Sequence, residues 1–173
     1  INKHKKFFNF RLIGMGGSIL GAEAIYQFLK HKIKKNFFFF SNLENKLDLK
    51  KNKKNTVNLV ISKSGNTLET IINSNILIKN NSKNIIITEN KQNYLNYLVN
   101  KIKAEVVEHK NYIGGRYSVL SEVGMLPAEL MGLKEKKFKR LNYLIQRKSF
   151  VNQLALNVEK TLSLIKKGKY IYK

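Results

Sequence analysis

RLIGMGGS (Arg11–Ser18) is a short apolar run that ends in glycines and a serine. Behind it, from Ser18 to about Lys30, Ala22, Ile25, Phe28 and Leu29 recur at helical spacing. A strand that empties into a glycine turn and then a helix is the first half of a βαβ unit. Working outward, Phe37–Phe40, Val57–Ile61 (VNLVI), Ile85–Ile87 and Glu105–Glu108 (EVVE) read as four further strands. Between them, Thr67–Lys79 carries Leu68, Ile71, Ile72 and Ile76 at helical spacing, and Tyr94, Leu95, Leu98, Val99 and Ile102 form a second helix face. The lysine-rich stretch Leu43–Asn55 yields no element. Continuously apolar strands separated by helices imply a parallel sheet covered on both faces. The expected fold is therefore α/β: three αβα layers around a five-stranded parallel sheet, in the common order 2-1-3-4-5.

After Glu108 the alternation stops and helical tracts follow, from about Val119 to Leu130, Glu135 to Ile145 and Ser149 to Lys167. The last places Val151, Leu154, Val158, Leu162 and Ile165 on one stripe, which predicts a buried face. Pro127, the single proline, is expected to kink or restart the first tract. Neither an internal repeat nor a Pro/Gly/Ser-rich linker interrupts the 173 residues.

The formal charge of +22 first suggests nucleic acid, because a clustered basic face is the footprint of phosphate-backbone contact. Yet Arg11, Arg116, Arg140 and Arg147 are the only arginines among 33 cations, and bidentate phosphate and base recognition favours arginine. The lysines gather at element ends. Asparagine, isoleucine, phenylalanine and tyrosine are abundant as well, a joint bias that A/T-rich coding supplies. Nucleic acid is therefore not the expected partner, although a positive field would assist an anionic substrate. Hydrophobic residues make up 43% of the chain, which is globular composition. Without cysteine, disulfides, thiolate metal sites and a cysteine nucleophile are excluded. No apolar run reaches the ~18 residues of a membrane-spanning helix, and no secretory signal is expected from the opening residues.

In a doubly wound sheet, ligands bind beyond the carboxyl ends of the strands where strand order reverses, here between the first and third. The turns after those two strands are the most glycine- and hydroxyl-rich of the sequence: Gly14-Met15-Gly16-Gly17-Ser18 and Ser62-Lys63-Ser64-Gly65-Asn66-Thr67. Glycines let backbone approach a ligand, helix N-termini offer unpaired N–H groups, and hydroxyls and a lysine add donors and charge. Together they describe a phosphate cradle; either alone could equally be a tight turn and a helix cap. A dinucleotide fingerprint would need glycine at Ile19 and an acid after Phe40, where Ser41 and Asn42 stand. The Walker pattern is also absent. A small phosphorylated metabolite fits better than a nucleotide. Gly114-Gly115-Arg116 brings a fixed cation next to flexible backbone, suited to stabilising oxyanion charge or simply to a surface turn.

GMGGSILGAEAI, SKSGNTLET and GGRYSVLSEVGMLPAEL, in this order, strongly resemble three landmark segments of the glucose-6-phosphate isomerases, on the sugar-isomerase (SIS) fold. The likeness runs from about Phe10 to Leu133. It implies a SIS domain over residues 1–133 and a helical extension over 134–173 leading toward a second SIS domain outside this chain. It implies interconversion of glucose 6-phosphate and fructose 6-phosphate through an enediol(ate), with no cofactor and no metal. A cytoplasmic, homodimeric full-length enzyme follows from the same likeness. Sugar-phosphate contacts then fall on Gly17, Ser18, Ser62, Lys63, Ser64, Gly65, Asn66 and Thr67, the hydroxyls and backbone N–H groups holding the phosphate and Lys63 lending charge. Arg116 with Gly115 matches the enediolate-stabilising position. Glu69 matches the family's Gln-Glu-Thr acid and orders the loop, although Leu68 precedes it here in place of glutamine. The family's base glutamate, ring-opening histidine and late lysine would lie downstream. His4, His31 and His109 do not match that histidine, His109 reading as a loop residue, and Glu122, Glu129 and Glu135 have no matching role. The chain opens on Ile1 and is expected to be a fragment that turns substrate over negligibly by itself. The alternative is a SIS domain that binds a sugar phosphate without chemistry, as a regulator.

Overall fold

The structure is a computed structural model that describes residues 2–43, 55–79, 82–138, 140 and 142–167. Residues 44–54, most of the lysine-rich stretch, and 168–173, the end of the expected extension, lie outside the described residues. The chain divides into two compact units, residues 1–135 and 136–173.

The first unit is built on five strands: β1 (Asn9–Gly14), β2 (Asn36–Phe40), β3 (Thr56–Ile61), β4 (Lys83–Thr88) and β5 (Glu105–Glu108). All pair in parallel, in the order β2-β1-β3-β4-β5. The three central strands, β1, β3 and β4, are buried on both faces, while the edge strands β2 and β5 are partly exposed. Helices α1 (Leu20–Leu29) and α4 (Glu122–Leu130) cover one face, where Ala22, Tyr26, Val123, Leu126 and Leu130 pack on Phe10, Leu12, Leu59 and Ile87. Phe10 and Phe37 stack there at 4.8 Å between ring centroids. Helices α2 (Leu68–Leu77) and α3 (Tyr94–Ile102) cover the other face, where Leu77, Leu95 and Leu98 meet Ile13, Phe40, Val60 and Ile86. This is the expected three-layer αβα arrangement.

Two helix faces differ from their apolar stripes. In α1, Phe28 is 82% exposed while Tyr26 is buried. Position 28 lies about 240° around the helix from Ala22, whereas position 26 returns to within about 40° of it. In α2 the inward residues are Thr70, Asn73, Ser74 and Leu77, while Leu68 and Ile76 are exposed. The reason lies in the sheet beneath. Arg11, Asn58 and Asn84 occupy one register row across β1, β3 and β4. Asn58 donates to Asn84 Oδ1 at 2.7 Å, and Arg11 Nη1 donates to Asn58 Oδ1 at 3.3 Å and to the Leu77 carbonyl at 3.0 Å. A buried polar row favours a polar helix face over it, since buried polar groups need partners.

Pro127 does not break α4, which runs unbroken from Glu122 to Leu130. As the sixth residue of the helix Pro127 leaves the Val123 carbonyl without its intrahelical donor, and α4 continues through that single lost bond. The tract from Glu135 to Ile145 forms two short pieces, α5 (Glu135–Phe138) and α6 (Asn142–Ile145), rather than one helix. In the second unit α7 (Lys148–Lys166) carries the expected apolar stripe, and within that unit Val151, Leu154, Val158, Leu162 and Ile165 are exposed, so the buried face the spacing predicts is not formed there. Periodicity reports which residues share a face, not whether anything covers it.

Candidate functional site

The tips of β1 and β3 lie side by side. Gly14 pairs in register with Ile61, and a Cβ on Gly14 would fall 2.9 Å from the Ile61 carbonyl oxygen. The missing side chain lets the two tips close. Gly16 then turns the chain with φ of +53°, and Gly16–Ser18 make one 3-10 turn before α1 begins. A Cβ on Gly17 would stand 2.3 Å from the Gly115 carbonyl oxygen and 2.8 Å from the Arg116 nitrogen. The glycine turn after β1 is thus in backbone contact with the Gly-Gly-Arg segment, 98 positions later in numbering between Gly17 and Gly115. Ser118 secures the contact: its buried hydroxyl donates to the Gly115 carbonyl at 2.6 Å, with the Gly17 carbonyl at 3.3 Å.

The loop after β3 folds on itself through its hydroxyls. Ser62 Oγ and Thr67 Oγ1 are 3.0 Å apart, and the Gly65 N–H donates to Ser62 Oγ at 3.2 Å. The Asn66 N–H donates to Ser64 Oγ at 3.3 Å. Thr67 is the N-cap of α2, but its side chain makes no cap bond to the helix. The first turn of α2 therefore points N–H groups at the strand tips without a side-chain acceptor. With the partial positive charge of a helix N-terminus, such a turn favours an anion.

Gly65 and Asn66 mount this loop on the neighbouring helix. Gly65 has φ of +69°, and a Cβ on it would fall 2.2 Å from the Asn93 side chain. Asn93 caps α3 by accepting from the Asn96 N–H at 2.9 Å. The Tyr94 N–H donates to Asn66 Oδ1 at 2.9 Å, and the Leu95 N–H donates to the Gly65 carbonyl at 3.1 Å.

Arg116 is exposed and, among the described residues, makes no hydrogen bond or ion pair through its side chain. The Gly17–Gly115 contact sets its backbone beside the tip of β1. Glu69, half-buried on the first turn of α2, likewise has no such partner among the described residues. The Lys63 ammonium, in contrast, donates to the Asn111 carbonyl at 2.7 Å and lies 3.5 Å from Glu89 Oε1. Glu89 also pairs with Lys91. The hydrogen bond from Lys91, outweighing desolvation and aided by Lys63, holds the Glu89 carboxyl below the ordinary carboxylate range. His109, read as a loop residue, directly follows β5 but is buried, with Nδ1 3.1 Å from the Lys110 carbonyl and 3.6 Å from Glu122 Oε1.

Three of the four clusters of named residues thus share one end of the sheet: the Gly17–Ser18 turn, the Ser62–Thr67 loop and Gly115–Arg116. Glu69 stands at the edge of this group, on the helix that the loop enters. The arrangement supplies hydroxyls, uncapped N–H groups and one unpaired guanidinium around a surface that can receive an anion. Among the described residues no group of three or more His, Asp and Glu side chains could hold a metal ion. Ser118, Glu89, Asn93 and Asn111 were not singled out from sequence. Only Ser118 carried a signal, in the Ser-x-x-Ser-x-x-Gly spacing after Arg116. That spacing now has a cause: Ser121 caps α4 and donates to the Ser118 carbonyl at 2.7 Å, and a Cβ on Gly124 would fall 2.1 Å from the Val119 carbonyl.

A sequence profile of the family described as phosphoglucose isomerase matches residues 3–152. Glucose-6-phosphate isomerase of Borreliella afzelii is 37% identical over 145 residues, covering 70% of this chain and 26% of that protein. Among solved structures, a hypothetical protein from Thermus thermophilus superposes with a TM-score of 0.75 at 22% identity, covering 94% of this chain and 43% of its own. The tagatose-6-phosphate ketose/aldose isomerase of Escherichia coli gives a TM-score of 0.62 at 13% identity, covering 89% of this chain and 45% of its own. These two likenesses concern the fold. The chain spans 26% to 36% of the length of the curated relatives it matches. With most of its length matched by the family profile, the chain belongs to the phosphoglucose isomerase family.

Proposed function

We propose that this chain forms the phosphate-binding half of a glucose-6-phosphate isomerase, which interconverts glucose 6-phosphate and fructose 6-phosphate. The observation that supports the reading is the Gly17–Gly115 contact, which sets the backbone of Arg116 beside the tip of β1, the strand that pairs with β3. In this reading Ser62, Ser64 and Thr67, with the first-turn N–H groups of α2 and the backbone of Gly17 and Ser18, receive the phosphate. Gly65 and Asn66 hold that loop against α3. Arg116, with the open backbone of Gly115, faces the carbonyl end of the opened sugar and stabilises the enediolate, since a guanidinium stays charged at neutral pH and cannot serve as the base. Glu69 stands on the first turn of α2 beside the phosphate loop, without a hydrogen bond or ion pair to it among the described residues.

Moving a proton between C2 and C1 needs a base, and opening the ring needs an acid. We assign both to the remainder of the full-length protein, and we further propose a domain boundary near residue 133 of this chain, a homodimer and a cytoplasmic location. No organic cofactor or metal enters the chemistry. Among the described residues no helix is long and apolar enough to cross a membrane.

The test is Arg116→Ala. In the full-length protein it lowers kcat by about 100-fold or more and leaves glucose 6-phosphate affinity within about threefold. The 173-residue chain alone binds the sugar phosphate and shows no robust turnover. If Arg116→Ala leaves kcat intact, or the full-length protein binds sugar phosphate without turning it over, the chain is a binding module and the isomerase reading is wrong.

A further inference from the structure

We propose that Lys63 is a positioning residue: held by Glu89, its ammonium anchors the Asn111 carbonyl and sets the spacing between the Ser62–Thr67 loop and the Gly114–Arg116 segment. The proposal rests on the reading above in one respect, that these two walls enclose one sugar-phosphate site.

After β5 the chain must return across the sheet to reach Gly17 at the tip of β1. In the order β1-β3-β4-β5 that is three strand spacings, about 14 Å at ~4.8 Å each. The six residues 109–114 can span about 20 Å when extended. The bridge therefore has little slack. Its first two residues are tied down, the His109 N–H to the Thr88 carbonyl at 2.8 Å and the Lys110 N–H to Glu122 Oε1 at 3.4 Å, and the Lys110 carbonyl meets His109 Nδ1 and the Ile113 N–H at 3.1 Å each. Tyr112, at its middle, is exposed. Among the described residues, the bond from Lys63 is the hydrogen bond that ties positions 111–113 to the strand tips below.

Lys63 is itself fixed at both ends. Its carbonyl accepts from the Glu89 N–H at 3.2 Å and from Thr88 Oγ1 at 3.3 Å. Its ammonium faces Glu89, whose side chain is only 10% exposed. A lysine acting as a direct phosphate ligand would be expected to end in open space beside the loop hydroxyls. This one ends under the bridge. Phosphate recognition then falls to the hydroxyls and N–H groups, and Lys63 acts through the place it gives to Arg116.

The test uses the 173-residue chain and three variants: Lys63→Met, which keeps the apolar stem, Lys63→Arg, which keeps a donor cation, and Glu89→Gln. Amide exchange is read at Ile113 and Tyr117, whose N–H groups donate to the Lys110 and Gly114 carbonyls. Affinity is titrated with inorganic phosphate and, separately, glucose 6-phosphate. Lys63→Met should lower protection at both amides about tenfold, change phosphate affinity by less than about threefold and weaken glucose 6-phosphate about tenfold. Lys63→Arg should restore all three, and Glu89→Gln should move them the same way by a smaller factor. Unchanged protection, or equal losses for both ligands, would overturn the proposal in favour of direct phosphate contact. If Lys63→Met fails to fold, Glu89→Gln decides by the same two criteria. A wild-type chain that binds neither ligand defeats the proposed function, while the exchange measurement still decides the role of Lys63.

Discussion

The backbones of Gly17 and Gly115 meet directly, with no room for a side chain on the first and open space around the second. This asymmetry separates folding from ligand approach at one contact. Gly17→Ala should destabilise the chain by about 1–3 kcal/mol, because the atoms in the way are backbone and cannot rotate aside. Gly115→Ala should stay within about 0.5 kcal/mol of the parent. Urea unfolding of the two variants checks the order. Equal losses would mean that the contact does not carry the structure.

Gly65 combines a left-handed backbone with contact against Asn93, the cap of α3. Alanine there faces the φ penalty and also displaces a helix cap worth about 1 kcal/mol. The expected loss for Gly65→Ala is about 2–3 kcal/mol, seen as a lower urea midpoint at unchanged slope. A loss below that of an ordinary surface substitution would show that Asn93 can move without cost.

Arg11 carries its charge into the sheet without a carboxylate partner among the described residues, and desolvation by burial lowers its pKa. Its role is to donate to the last carbonyl of α2, Leu77, and to Asn58. Arg11→Met keeps most of the volume but leaves both acceptors without that donor, so a loss of about 2 kcal/mol is expected. Fraying should appear at the C-terminal turn of α2, in faster exchange of the Ile78 amide, which donates to the Ser74 carbonyl. If the variant is as stable as the parent, the cost of burying the cation equals what its bonds return.

Acid should weaken the first unit partly through Glu89. Its carboxyl is held below the ordinary range, first by the Lys91 hydrogen bond and then by Lys63. A carboxyl lowered in the folded state contributes stability above its unfolded pKa of about 4.3 and loses it as pH falls through the folded value. Stability against urea should therefore fall below about pH 4.3, and Glu89→Gln should flatten that limb while changing little of its slope near neutrality. An unchanged acid limb in the variant would remove Glu89 from the account.

Much of this molecule is legible along the chain because its signals are local. The five apolar runs and the glycine turns point to the parallel sheet, its order and the end where ligands collect, since strand burial and turn chemistry depend on neighbouring residues. The inward face of α2 was not legible: the apolar period pointed to Leu68 and Ile76, while the side chains actually buried are mostly polar. The polar row beneath them, Arg11, Asn58 and Asn84, comes from three different strands.

The sequence by itself determined the αβα class, the two hydroxyl-rich tips and the Gly-Gly-Arg segment, because a strand's length, a helix's period and a glycine's freedom are properties of short stretches. Tertiary structure alone decided that Gly17 abuts Gly115 and that Lys63 reaches the Asn111 carbonyl. Each of those depends on which distant backbone arrives beside it, and a contact between residues 48 or 98 positions apart leaves no period for a reader of the chain to find.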